Sequence, residues 1–84
     1  MPYRVEFRPA ARRQVDRFGQ PTRDRVRAAI ARLERDPRPS GVKKLTGYTN
    51  RWRIRVGDYR VIYEIHDDRL VVIVIRAAHR REAY

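Results

Sequence analysis

A chain of 84 residues with 42% apolar composition can enclose one small core and no second one, so a single domain over residues 1–84 is expected. It contains no cysteine, which excludes disulfide staples, thiolate metal sites and a cysteine nucleophile. With 21 Lys+Arg against 10 Asp+Glu the formal net charge is +11, an excess that points to a polyanionic partner, either nucleic acid or an acidic protein.

The opening residues lack the apolar stretch of a signal peptide. The longest apolar run, Leu70 to Ile75, is too short to span a bilayer, so a soluble cytoplasmic protein with no membrane partner is expected. Almost all the positive charge is arginine, Lys43 and Lys44 being the only lysines. Arginine suits bidentate phosphate contacts and base stacking, but an arginine-favouring codon usage gives the same composition, so charge alone assigns no function.

Tyr3 to Arg8 alternates apolar and polar residues, the period of a half-buried strand, and Pro9 ends it. From Pro9 to Phe18 the apolar positions Ala11, Val15 and Phe18 fall at helical spacing, with Gly19 placed to terminate the helix. Pro21 or Thr22 opens a second helix whose stripe is Val26, Ala29, Ile30 and Leu33, and Asp36-Pro37 stops it. Two helices joined by a glycine-containing turn make a hairpin whose apolar stripe needs a sheet to cover. Arg38 to Gly41 reads as a loop, Val42 to Leu45 as a short edge strand, and Gly47 to Asn50 as a turn.

From Arg51 to Val56 the alternation is strict, Gly57-Asp58 is a two-residue hairpin signal, and Tyr59 to Ile65 is a second β-rich run. Asp67-Asp68 begins a turn, and Leu70 to Ala78, apolar on both faces, reads as a central strand. The expected fold is α+β: an N-terminal strand, a two-helix hairpin, then an antiparallel meander of three or four strands with the helices on one face.

A two-residue turn pairs Val56 with Tyr59, Arg55 with Arg60 and Arg53 with Ile62. Trp52, Ile54, Val56, Tyr59, Val61 and Tyr63 then face the helices, while Arg53, Arg55 and Arg60 share the other side. Like charges opposite one another on a sheet cost roughly 0.2–1 kcal/mol, so fold stability gives no reason for the arrangement and phosphate binding does; a merely solvated strand face is the alternative. The last strand delivers Arg76, His79, Arg80, Arg81 and Tyr84 to one end of the sheet. Arginine can neutralise a phosphorane, and histidine or tyrosine can exchange a proton or stack on a base, though such a terminal segment is also often frayed and solvated. His66, beside Asp67 and Asp68, reads as solvated. The ten acids are scattered without ligand spacing, so neither a metal site nor a cofactor is expected.

The segment Arg53, Arg55, Gly57-Asp58-Tyr59-Arg60-Val61-Ile62-Tyr63, followed by His79-Arg80-Arg81-Glu82-Ala83-Tyr84, resembles the signature of ribosome-dependent mRNA endoribonucleases of the RelE type, in the RelE/ParE toxin superfamily. The likeness extends to Tyr3-Arg4-Val5-Glu6-Phe7, the helical hairpin and Val42-Lys43-Lys44-Leu45. It implies a small twisted antiparallel sheet with two helices on one face. It also implies a toxin of a type II toxin–antitoxin system that cleaves mRNA on the ribosome without a metal and is held in check by a cognate, acidic antitoxin.

Carried over by residue, the resemblance puts the phosphate-stabilising arginine at Arg60, the proposed proton donor to the leaving group at Arg80 and the stacking tyrosine at Tyr84. The two basic strand residues fall on Arg53 and Arg55, where well-known members carry lysine. Since arginine is a very poor base, His79 is the remaining candidate for proton acceptance, and a plain surface histidine the alternative. Lys43, Lys44, Arg51, Arg76 and Arg81 are assigned to RNA binding. A gyrase inhibitor of the ParE type with the same fold, and a non-enzymatic nucleic-acid-binding module, are the competing readings.

Overall fold

The computed structural model describes residues 2–82. The elements are β1 (Arg4–Phe7), α1 (Pro9–Arg17), α2 (Thr22–Arg32), β2 (Lys43–Lys44), β3 (Trp52–Val56), β4 (Tyr59–His66) and β5 (Val71–His79). Pro9 occupies the first turn of α1, where its missing N–H costs nothing. The helix is not ended by Gly19. Phe18 leaves it in an extended conformation, and its ring reaches Tyr59 on the sheet, with centroids 4.7 Å apart.

The five strands form one sheet in the order β1-β5-β4-β3-β2. The antiparallel meander is present, and the N-terminal strand adds to it in parallel, Arg4 to Phe7 against Val71 to Val74, so the sheet is mixed. Its first and last strands in sequence are thus neighbours, and β5 is central along its first half. Both helices pack on one face. Ala11, Val15, Val26, Ile30 and Leu33 meet Ile54, Val61, Tyr63, Ile65, Val72, Val74 and Ala77, all buried. Tyr63 is wholly enclosed, and its hydroxyl donates to the Pro37 carbonyl at 2.7 Å, so its one polar atom is satisfied.

The β3–β4 register is the one expected from a two-residue turn: Val56 opposite Tyr59, Arg55 opposite Arg60, Arg53 opposite Ile62. Gly57 takes φ 58°, the left-handed conformation that such a turn requires. Between β4 and β5 the ladder slips. Tyr63 pairs with Val74 but Ile62 pairs with Arg76, so Ile75 is an extra residue, a β-bulge. Parity along β5 reverses there. Val72 and Val74 point to the helices before the bulge; after it Ala77 and His79 do, and Arg76 and Ala78 turn to the uncovered face.

At the far end a polar clasp joins four segments. Asp67 accepts hydrogen bonds from the Tyr3 hydroxyl at 2.5 Å and from both terminal nitrogens of Arg38 at 3.2 and 2.9 Å. The Arg38 guanidinium also lies over the Trp52 ring, 4.9 Å from its centroid. The Asn50 side chain mimics a strand residue: its amide donates to the Ile65 carbonyl at 2.7 Å, and its oxygen accepts from the Ile65 N–H and Trp52 Nε1, each at 3.2 Å. Among the described residues no helix is long and apolar enough to cross a membrane.

Candidate nucleic-acid interface

The uncovered face of the sheet carries Lys43 on β2, Arg53 and Arg55 on β3, Arg60 on β4 and Arg76 on β5, by register one continuous cationic band. Arg53 and Arg76 flank Ile62, which is buried although no helix covers it. The aliphatic stems of long basic side chains can shield such a residue while their charged ends reach solvent.

Arg60 departs from the picture of a solvated patch. It is 7% exposed, the one buried charged residue among those described, although it lies on the open face. Its Nη1 donates to the Tyr59 carbonyl at 3.3 Å, and its buried Nε has no hydrogen-bond partner. No carboxylate pairs with it among the described residues, and the residue directly across from it is another arginine, Arg55. A guanidinium desolvated without a counter-charge is held at a cost, and an anion placed between Arg55 and Arg60 would offset that cost. Arg55 itself is exposed and makes no ion pair within the described residues.

Beyond β5 the chain turns back against the hairpin tip. The Arg80 N–H donates to the Asp58 carbonyl at 2.7 Å, and its guanidinium lies 3.8 Å from the Asp58 carboxylate, two residues before Arg60. Arg76 donates to the Glu82 carbonyl and so ties the turn to the strand. Arg81 is exposed in that turn. Tyr84 lies outside the described residues.

His79 is not brought to the arginines. It pairs with Tyr59 and therefore projects on the helix side of the sheet, edge-on to the Tyr59 ring with centroids 5.4 Å apart. Its Nδ1 accepts the Arg81 N–H at 3.3 Å and its carbonyl accepts the Glu82 N–H at 2.8 Å, so the imidazole braces the C-terminal turn. Lys44 is also turned away, over the Trp52 ring at 5.5 Å, and Arg51 stacks on exposed Tyr48 at 4.6 Å, one step beyond the band. His66 is not simply solvated: half-buried, it meets Glu64 at 2.9 Å on the open face, at the opposite end of β4 from Arg60.

Sequence reading missed the arginines of α2, of which Arg32 lines a cleft of about 540 Å³ beside Lys43, Arg53 and Arg55. The signal was the heptad spacing of Arg25 and Arg32. Among the described residues no three His, Asp or Glu side chains converge as metal ligands would.

Comparison with known proteins places these features in a family. Residues 5–84 match the family described as ParE toxin of the type II toxin–antitoxin system parDE. Toxin RelG of Mycobacterium tuberculosis is 30% identical over 89 aligned positions, covering 100% of this chain and 98% of RelG. The fold is similar to that in the archaeal RelE–RelB complex of Pyrococcus horikoshii, with a TM-score of 0.84 and 28% identity over 99% of this chain and 100% of the other. It is also similar to the toxin–antitoxin complex RelBE2 of Mycobacterium tuberculosis, with a TM-score of 0.73 and 30% identity over 95% and 100% of the two chains.

Proposed function

The chain belongs to the RelE/ParE superfamily of toxins from type II toxin–antitoxin systems, and from that premise we propose that it is a ribosome-dependent mRNA endoribonuclease acting in the cytoplasm. The observation that carries the reading is Arg60: a buried guanidinium with an unpartnered nitrogen, facing Arg55 on an open sheet. Such a site is preorganised for a group whose negative charge grows during reaction, as it does on a phosphodiester passing through a phosphorane.

In the proposed reaction a ribose 2′-oxygen bonds to the adjacent phosphorus and the P–O5′ bond breaks. The 2′-hydroxyl proton is lost, O5′ gains one, and the products are a 2′,3′-cyclic phosphate and a 5′-hydroxyl. Arg55 and Arg60 stabilise the non-bridging oxygens, with Arg53, Lys43 and Arg76 holding neighbouring phosphates. Arg80, beside the hairpin tip, is assigned to the leaving oxygen, and Tyr84 to stacking on a base; both roles rest on the resemblance.

Among the described residues the band offers charge and one amine, Lys43, but no histidine or carboxylate to act as base. His79 is on the other side of the sheet, and at the rise of an extended strand Glu64 is about 13 Å and His66 about 20 Å along β4 from Arg60. The ribosome enters the reading through the resemblance, and its part there would be to orient the message on this charged face. Metal independence belongs to the proposal through the resemblance, and the chelator treatment below tests it. The RelE–RelB complexes of similar fold, together with the +11 charge, support a cognate antitoxin of acidic character as partner.

The deciding experiment maps mRNA ends on translating ribosomes after adding toxin pretreated with chelator. Cuts bearing cyclic phosphates, absent with Arg60→Ala, are expected. Gyrase-linked DNA breaks with intact message would instead favour the inhibitor of the ParE type, whose name the matching family bears.

A further inference from the structure

The cationic band does not stop at the edge of the sheet. β2 pairs with β3 only at Trp52 and Arg53; past that point the Pro39–Gly41 loop diverges and leaves β3 open along Ile54 to Val56. Helix α2 runs beside this opening and turns toward it the stripe Arg25, Ala28, Ala29 and Arg32, spaced i, i+3, i+4 and i+7. Two clefts result, of about 540 and 440 Å³, which share Ala29, Arg32 and Arg55 and so form one groove.

The groove has an apolar floor of Ala28, Ala29, Ile54 and Val56 and a rim of Arg25, Arg32, Lys43, Arg53 and Arg55. Asp24 at its far end is the single acid among the described residues that line it. Arg25, Arg32, Lys43 and Arg55 make no ion pair or side-chain hydrogen bond among the described residues, whereas the nearby Arg27 on the same helix is paired with Asp16 at 2.8 Å. Four unpaired cations around one concavity repel one another, and the fold gains nothing from them.

We propose that this groove holds the sugar–phosphate backbone of single-stranded RNA a few nucleotides from the phosphate bound at Arg55 and Arg60, which makes it an extended subsite of the proposed nuclease and rests on that reading. Arg55 belongs to both places, so a strand gripped on the open face can pass over the free edge of β3 without leaving positive charge. Guanidinium forks suit phosphate oxygens, and the alanine floor lets ribose approach closely. An acidic peptide is the competing occupant; the shallow floor of small side chains offers it few apolar anchors, which favours RNA.

The test uses the toxin alone with a short single-stranded RNA made uncleavable by 2′-O-methylation, its binding followed by fluorescence anisotropy across a salt series. Arg25 and Arg32 are exposed, so the double variant Arg25→Gln/Arg32→Gln keeps the core intact, to be checked by melting temperature. It is expected to bind several-fold more weakly, with a log–log salt slope shallower by about 0.7 for each phosphate that the variant no longer neutralises. An unchanged slope and affinity, with Arg55→Ala still weakened, would overturn the groove and spare the nuclease reading. If neither variant changed binding, both would fall. A loss confined to binding of a poly-glutamate peptide would assign the groove to protein and overturn the RNA proposal.

Discussion

At the scale of single residues, Arg60 sets stability against function. Its guanidinium is largely buried, has no carboxylate partner among the described residues and lies directly across from Arg55, where like charges cost roughly 0.2–1 kcal/mol. Arg60→Met keeps most of the buried volume and removes the charge. It is expected to raise the melting temperature by a few degrees, about 1 kcal/mol, while lowering ribosome-dependent cleavage by about 10²–10³-fold, the usual loss for one charge-stabilising donor. Exposed Arg55→Ala is expected to melt within about 0.5 kcal/mol of the parent and to lose cleavage similarly. An early-melting Arg60→Met would mean that the guanidinium is a structural element rather than a receptor. His79→Ala supplies the contrast. Because the imidazole packs edge-on against Tyr59 and braces the Arg81–Glu82 turn, the substitution is expected to loosen that turn and to reduce cleavage less than Arg60→Met does. An equal or greater loss with an unaltered melting temperature would restore the histidine as a proton acceptor.

At the scale of elements, the hairpin was readable and the sheet edge was not. A two-residue turn and strict alternation determine which residues of β3 and β4 face each other, so the arginine pair and the core set followed from the sequence alone. Alternation reports a face but not a depth, and it did not reveal that Arg60 is buried. Nor did it give the bulge at Ile75, which depends on packing between β4 and β5 and is what turns Arg76 toward the arginines. The parallel pairing of β1 with β5 joins opposite ends of the chain and leaves no local mark. Trp52 tests the core side of this reading. It is half-buried rather than enclosed, packing on the helix face beneath Arg38, so Trp52→Ala is expected to cost about 2–3 kcal/mol, less than a fully buried aromatic but enough to lower the melting temperature by many degrees.

The clasp at the far end yields a pH prediction of opposite character. Hydrogen bonds from Arg38, then from Tyr3, hold the Asp67 carboxyl down to about 2, below its ordinary 3.8. A depressed carboxylate contributes stability above its unfolded value and loses it as pH falls from about 4 toward 2. Wild type is therefore expected to lose melting temperature across that range more steeply than Asp67→Asn, whose neutral amide cannot titrate. Parallel acid profiles for the two proteins would show that the clasp adds nothing to folding. The Tyr3 hydroxyl is shifted upward, first by its hydrogen bond to Asp67. Its contribution is thus complete at neutral pH and lost only as the solution becomes strongly alkaline.

For the molecule as a whole, the +11 charge is distributed unevenly in its effects. The described residues place their cation–carboxylate pairs on the helix hairpin, at the clasp, on β1 and at the hairpin tip beside Arg60, and none of these pairs includes Arg55, Arg60 or a cation of the α2 groove. An anion that binds those unpaired arginines binds the folded state alone and must stabilise it by mass action. Sulfate, tetrahedral like the phosphodiester and carrying two negative charges where the diester carries one, is the simplest probe. At about ten times its Kd it is expected to add about 1.4 kcal/mol, or several degrees of melting temperature, in a curve that saturates. Chloride at equal ionic strength screens the same repulsion without occupying the site, and sulfate also stabilises proteins generally by exclusion from their surface, an effect that does not saturate. Arg60→Met should therefore retain the linear response and lose the saturable one. A saturable gain that survives in Arg60→Met, and disappears only in Arg25→Gln/Arg32→Gln, would move the anion receptor from the sheet face to the groove.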